Sequence, residues 1–209
     1  MALAILLNQQ IHGRGIFRTI AFFPYVASLV AVTAVWKMLF SQSGPVNAIL
    51  YYVFHVENKD LPQWFVGNLV MVSYILFSVW KFMGYYMVIY LAGLQGISKE
   101  LYEAASLDGA NTWQKFISIT WPQLKPTTFF VSVMLTINCF KVFDVATLLA
   151  GGDNNTLTVS STVLVHYIYQ KGFIEWDLGY ASAVAMILFL LVLAVTLIQF
   201  RGEKNYANS

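Results

Sequence analysis

LAGLQGISKELYEAASLDGANTWQKFISITWP, residues 91–122, is the stretch that decides the fold. It lies within a polar interval of about 30 residues between two apolar runs, longer than most connections between helices, and it carries a helical pattern of its own. Ser98 can cap a helix, with Glu100 in the first turn, where negative charge suits the helix dipole. Leu101, Ala104, Ala105 and Asp108 then share one face. Gly109 suits the left-handed conformation that ends a helix. Asn111 can cap a second helix, with Gln114 three positions on as in a capping box. Trp113, Phe116, Ile117 and Thr120 fall at i, i+3, i+4 and i+7, the spacing of a helical stripe, and Pro122 closes the pattern. Two helices this short are marginal in water. Their order must come from docking, either on the chain's own membrane segments or on another protein. The paired small residues Ala104 and Ala105 give a flat surface for a close approach.

Outward from this interval the sequence is apolar. Of 209 residues, 58% are hydrophobic and 11% charged, against about 45–50% and ~25% in soluble domains. So large an excess reads as lipid-facing surface. Windows at about 19–40, 66–93, 127–149 and 179–200 each reach the ~20 residues that a helix needs to cross a bilayer. Helix is the expected form, because lipid offers no partner to backbone N–H and C=O groups. The windows lack the alternation of a β-barrel. The predicted fold class is all-α, a polytopic transmembrane helical bundle forming one membrane domain over residues 1–209, with the interval 94–126 protruding from it. Met1–Leu7 is a short apolar run with no basic residues before it. It reads as the tail of another span, not as a signal peptide.

Charge sets the orientation. Arg14, Arg18, Lys99, Lys115, Lys125, Arg201 and Lys204 fall on one side of a four-span arrangement, and only Lys59 and Lys171 on the other. The positive-inside rule places residues 8–18, 94–126 and the C-terminus in the cytoplasm, with 41–65 and 150–178 outside. Trp36, Trp64 and Trp176 then lie near the outer boundary and Trp121 near the inner one, where indole rings are favoured. Lys37 is close enough to a span end to snorkel. Lys81 is mid-span. Lys141 and Asp144 are three apart on one helical face and can pair, and Asn138 is one turn before Lys141. A charge at a helix centre costs on the order of 2.5–3.5 kcal/mol on insertion scales. Lys81, Lys141 and Asp144 are therefore expected to face the bundle interior or a wet cavity, either as the lining of a polar path or as structural pairs.

Other chemistry is missing from the sequence. A net charge of +2 without a basic run argues against nucleic acid. The single cysteine, Cys139, excludes an internal disulfide and reads as a small apolar side chain. His12, His55 and His166 have no metal-ligand spacing. Glu57 with Asp60, and Glu175 with Asp177, read as solvated acidic faces. No serine elbow or Cys/His nucleophile is present. Neither Gly13/Gly15, Gly93/Gly96 nor Gly151/Gly152 has the spacing and lysine of a phosphate-binding loop. The chain is expected to be no enzyme and to bind no cofactor itself.

Glu103-Ala104-Ala105, three residues, Gly109, nine residues, Ile119, one residue, then Trp121-Pro122 resembles the EAA motif of the membrane subunits of binding-protein-dependent ABC importers. The longer run Leu91–Ile97, Glu100–Ala105 and Asp108-Gly109-Ala110 is similar to the carbohydrate-uptake branch, the maltose and glycerol-phosphate type. Phe17-Arg18, Pro24, Trp36, Gly44, Asn47, Phe143-Asp144, Gly151-Gly152, Tyr167-Ile168-Tyr169 and Gly179–Ala183 extend the likeness over nearly the whole chain. Trp121 stands where the family has leucine, and Asp153 where it often has proline. Family members commonly have six spans, which implies that the first span and most of the second lie outside this sequence.

The resemblance implies a type I importer permease fold in the cytoplasmic (inner) membrane and a pore subunit for a sugar or sugar derivative. It also implies three partners: a cytoplasmic ATPase dimer that holds the ATP and Mg, a second permease subunit, and an extracytoplasmic substrate-binding protein. In this family the two motif helices seat in a groove of the ATPase, and ATP-driven closure swings the spans from inward-facing to outward-facing. Glu103, Ala104, Ala105, Asp108, Gly109, Ala110 and Pro122 would form that coupling element. Lys81, Asn138, Lys141 and Asp144 are the candidates for the solute path. From the residues without the resemblance, a passive channel or secondary carrier is the alternative. Such a protein would not need the 94–126 interval as an ATPase dock.

Overall fold

The computed structural model describes residues 1–9, 11–57, 60–67, 69–150 and 162–207. Among them there are helices and no strand. In chain order these are α1 (Ala2–Asn8), α2 (Arg14–Val26), α3 (Leu29–Leu39), α4 (Pro45–Phe54), α5 (Leu69–Gln95), α6 (Lys99–Leu107), α7 (Thr112–Lys115), α8 (Trp121–Gln123), α9 (Lys125–Phe140), α10 (Asp144–Ala150), α11 (Leu164–Tyr169) and α12 (Leu178–Ala207). Wide π-helical turns at Phe116–Thr120 and Gln170–Ile174 follow α7 and α11. The helices pack as two compact units. One comprises residues 1–25, 82–137 and 195–209, the other 26–81 and 138–194.

In the first unit the core is built on one stripe of α5. Met87, Tyr90, Leu91 and Leu94 are buried, the i, i+3, i+4, i+7 spacing that puts apolar side chains on one helical face. Ala4 and Leu7 of α1, Leu124, and Val131 of α9 pack against them. The carbonyl of Leu7, near the end of α1, accepts a 2.7 Å hydrogen bond from Arg18 Nη2. Gly84 of α5 meets the backbone of α2: a Cβ placed there would stand 2.0 Å from the carbonyl oxygen of Ala21. Gly93 is also close-packed, but its nearest neighbour is the side-chain hydroxyl of Thr127. Between α9 and α12, Gln199 Nε2 donates to Thr136 Oγ1 at 2.7 Å and Phe129 sits edge-on to Phe200.

The second unit uses the earlier turns of α5. Val70, Tyr74 and Phe77 are buried with Val145, Ala146 and Leu149 of α10. The Tyr74 hydroxyl, carried into this core, donates to the Ala146 carbonyl at 3.0 Å. Trp36 stacks on Phe40 and meets Phe77 edge-on. Asn47, 1% exposed, joins three segments: its Nδ2 donates to the carbonyls of Gln42 and Pro62, and its Oδ1 accepts from Trp64 Nε1 at 2.9 Å. His166 of α11 is buried beside Phe143 and Tyr169, and its Nδ1 has no hydrogen-bond partner. Burial pushes its imidazole below the ordinary value.

The apolar windows are not four uniform rods. Two described helices are long and apolar enough to cross a bilayer, Leu69–Gln95 and Leu178–Glu203. Almost no part of the second is buried within the chain, so its apolar surface calls for a lipid surround. The window at 19–40 is broken and bent at Ala27-Ser28, between α2 and α3. Pro24 lies inside α2, where it removes a backbone donor. The window at 127–149 divides at Lys141–Phe143, between α9 and α10. The expected outer feature at Gly151-Gly152 and Asp153 lies outside the described residues.

Two expectations follow. Gly84→Ala forces a Cβ into backbone and should cost about 1–3 kcal/mol, whereas Gly93→Ala meets a side chain that can turn away and should cost less. Thermal melts of the two variants in one detergent check this, and equal losses would refute the close-contact account. His166 also predicts a pH dependence. The unfolded chain takes up its proton below about pH 6.5, while the folded chain resists it to lower pH. The stability held above that pH should therefore decline as pH falls from 7.5 to 5.5. His166→Phe should shrink the decline, measured as the difference between melting temperatures at the two pH values.

Candidate functional site

The interval after α5 folds as two short helices braced on each other. Ser98 begins α6, its Oγ accepting from the Glu100 N–H at 3.2 Å. The helix stops in a Schellman arrangement. Ala110 N–H bonds to the Ala105 carbonyl at 2.9 Å and Gly109 N–H to the Ser106 carbonyl at 3.1 Å, with Gly109 in the left-handed region at φ +75. A Cβ at Gly109 would meet nothing within 4 Å, so backbone conformation alone calls for glycine there. Asn111 follows at once with the expected capping box. Its Oδ1 accepts from Gln114 N–H at 2.9 Å, and Gln114 Oε1 accepts from Asn111 N–H at 2.8 Å.

Two contacts that sequence reading did not anticipate tie the helices together. Tyr102 Oη and Thr120 Oγ1 lie 2.8 Å apart, and Lys115 Nζ donates to Ser106 Oγ at 2.7 Å. The only available signal was that Tyr102 and Ser106 lie one turn apart on α6, which does not say what they face.

Pro122 does not close the second helix as expected. After α7 the chain widens into the π-helical turn Phe116–Thr120, where Trp121 N–H bonds back to the Phe116 carbonyl, and Pro122 sits in the first turn of α8. Near the start of a helix, proline's missing N–H is tolerated. The widened turn also divides the expected stripe: Thr120 is buried, while Trp113 and Ile117 are exposed.

The motif residues present an accessible surface. Glu103, Ala104, Asp108 and Gly109 are exposed, and Ala105, Ala110 and Pro122 half-buried. Around them stand apolar side chains: Leu107 at 90% exposure and Trp113 at 67%, with Leu101, Ile117 and Trp121 also open. Capping and cross-links account for the local order. Packing within the unit leaves the apolar tip uncovered.

The four path candidates are divided by their surroundings. Lys81 is buried and its Nζ donates to the Ala27 carbonyl at 2.9 Å. Asn138, in the last turn of α9, is exposed, as are Lys141 and Asp144. The expectation that Lys141 and Asp144 share a helical face and pair is corrected. The helix ends at Phe140, Lys141 lies in the turn, and Asp144 opens α10. No ion pair joins the two. A carboxylate in the first turn of a helix has a favourable partner in the helix dipole.

Residues 2–205 match the family described as binding-protein-dependent transport system inner membrane component. The chain is 38% identical over 209 residues to the probable ABC transporter permease protein YesP of Bacillus subtilis, covering 99% of this chain and 66% of that protein. It is 34% identical to the arabinooligosaccharides transport system permease protein AraP of the same organism, covering 99% of this chain and 65% of that protein. Among solved structures, a bacterial ABC transporter involved in the import of the acidic polysaccharide alginate contains a chain with TM-score 0.85 and 25% identity, covering 98% of this chain and 71% of that one. The chain thus spans about two thirds of the length of these curated relatives. Its all-α architecture is that of type I ABC importer permeases, and the chain belongs to the binding-protein-dependent transport system inner membrane component family.

Proposed function

We propose that this chain is a pore subunit of an ABC importer in the cytoplasmic membrane, moving a sugar or sugar derivative. The observation that carries the reading is the surface built by the EAA motif. A left-handed glycine, a Schellman stop and a capping box hold two short helices together, while Leu107 and Trp113 stay open at their tip. Exposed apolar area of this kind marks an interaction site.

In this reading the four apolar windows cross the bilayer, and residues 94–126 and the C-terminus lie in the cytoplasm. The tip seats on a separate ATPase dimer, which binds the ATP and Mg. Leu107 and Trp113 enter an apolar groove of that partner, Ala104 and Ala105 allow close backbone approach, and Glu103 meets a basic residue. A second permease subunit completes the pore, and an extracytoplasmic binding protein delivers the solute. A carbohydrate solute is supported by the names of relatives, which include permeases for arabinooligosaccharides, trehalose/maltose and lactose. Delivery by a binding protein is supported by the alginate transporter solved with its periplasmic protein. Asn138, Lys141 and Asp144, exposed within the second unit, are the proposed lining of the solute path.

Gly109→Val strains the left-handed turn and Glu103→Lys reverses the charge of the motif. In the complete transporter, either should abolish ATP-coupled uptake while membrane insertion, read by protease protection, stays intact. A cysteine at Ala104 should crosslink to the ATPase in native membranes. Uptake at the unmodified rate in both variants, together with no crosslink, would reject the coupling role. For the path, Asn138→Cys in a Cys139→Ser background should react with a membrane-impermeant maleimide in at least one transport state. Absence of labelling in every state removes Asn138 from the lining.

A further inference from the structure

Beside α4, within the second unit, lies a cleft of roughly 320 Å³. Its size falls within the range of small-ligand sites, about 300–1,000 Å³. Asn47 and Tyr51, one helical turn apart, line it from α4 together with Tyr52. Gln42 and Ser43, before the helix, and Leu61, after it, line the other sides. One buried side chain holds this frame. Asn47 Nδ2 donates to the carbonyl of Gln42 at 3.1 Å and to that of Pro62 at 3.2 Å. These carbonyls belong to the two segments that flank the cleft, so a single carboxamide ties both to α4. Its Oδ1 accepts from Trp64 Nε1 at 2.9 Å. On this fixed frame the lining side chains are accessible. Tyr52 is 75% exposed and Tyr51 40%, and Gln42 and Ser43 are exposed as well. The two rings meet edge to face, their centroids 4.9 Å apart and their planes at 85°.

From this geometry we infer that the cleft beside α4 is a binding site for a neutral sugar unit, built from residues other than Asn138, Lys141 and Asp144. A tyrosine offers a flat apolar face with a polar tip, which suits a sugar ring with its C–H face and its rim of hydroxyls. A carboxamide and a hydroxyl each donate and accept, as a sugar hydroxyl does. Gln42 and Ser43 supply these groups, Tyr51 and Tyr52 the aromatic faces, and Asn47 the frame. No described residue lining the cleft is charged, whereas a phosphate or carboxylate ligand calls for cationic donors. The frame is built before any ligand arrives, so little ordering cost falls on binding. The site deepens the importer reading and rests on it for one point only, that the interval 41–65 faces the side from which solute comes. The binding itself is local to the second unit and needs no ATPase.

The test is sugar binding to the full chain in lipid nanodiscs, read by saturation-transfer NMR with maltotriose, arabinotriose and the acidic trigalacturonate as probes. At least one neutral trisaccharide should receive saturation, and more strongly than trigalacturonate. Tyr52→Ala and Gln42→Ala, both changes at exposed positions, should each weaken that binding on the order of 5-fold, as the loss of one stacking face or one polar partner implies. Tyr52→Trp, which keeps an aromatic face, should stay within about twofold of the unsubstituted chain. The inference is overturned if neither neutral probe binds, if trigalacturonate binds as tightly, or if both alanine variants bind unchanged. A Tyr52→Ala chain that loses capture of the extracytoplasmic binding protein, with no sugar bound by the unsubstituted chain, assigns the cleft to a protein and overturns it too. Should Tyr52→Ala fail to accumulate, Gln42→Ala and Tyr52→Trp still decide. Because the measurement involves no ATP, failure of the coupling role at Gly109 and Glu103 leaves its outcome standing.

Discussion

Every backbone amide and carbonyl in an apolar medium must find a partner within the protein, and this constraint governs the chain from end to end. It explains why the regular structure among the described residues is helical. Several helix ends carry a recognisable device. At Gly109 the stop is a left-handed glycine with two back-bonded amides. At Asn111 it is a reciprocal capping box. At Ala27 it is a lysine from another helix. Near Leu7 it is the Arg18 guanidinium, which bonds that carbonyl.

The polar groups divide by burial. Lys81, Asn47, Thr33 and Ser73 are buried, and each has a hydrogen bond to a named backbone carbonyl. Asn138, Lys141 and Asp144 are open. Burial with a short bond to backbone marks a side chain that shapes the fold. The motif surface follows a parallel division. Its polar atoms brace α6 against α7, while Leu107 and Trp113 remain uncovered for a partner.

Much of the candidate site was legible from local sequence. The Ser98 cap, the Gly109 turn and the Asn111–Gln114 box depend on residues at most five apart, and all three form as their spacing requires. The Tyr102–Thr120 and Lys115–Ser106 links were not legible, because they join residues from two helices whose relative rotation no local pattern sets. Pro122 shows how a local rule can be overridden. A proline normally ends a helix, but here the widened turn before it places it near the start of the next one. Lys141 and Asp144 show the opposite error. Their spacing suits one helical face only if the helix continues, and it ends at Phe140.

The sequence alone determined the class of the molecule: apolar windows of bilayer length, a lopsided distribution of basic residues, and a punctuated polar interval between the second and third windows. Those features are set by composition and by interactions within one or two helical turns, so they survive without knowledge of the packing. Tertiary structure alone decided where the windows break, which glycine is pressed against backbone, and which charge is buried. The reason is that the carbonyl of Ala27 is held by Lys81, which is distant in sequence, and the contact at Gly84 is made with Ala21. Partners supplied by another helix leave no periodic trace in the segment they act on.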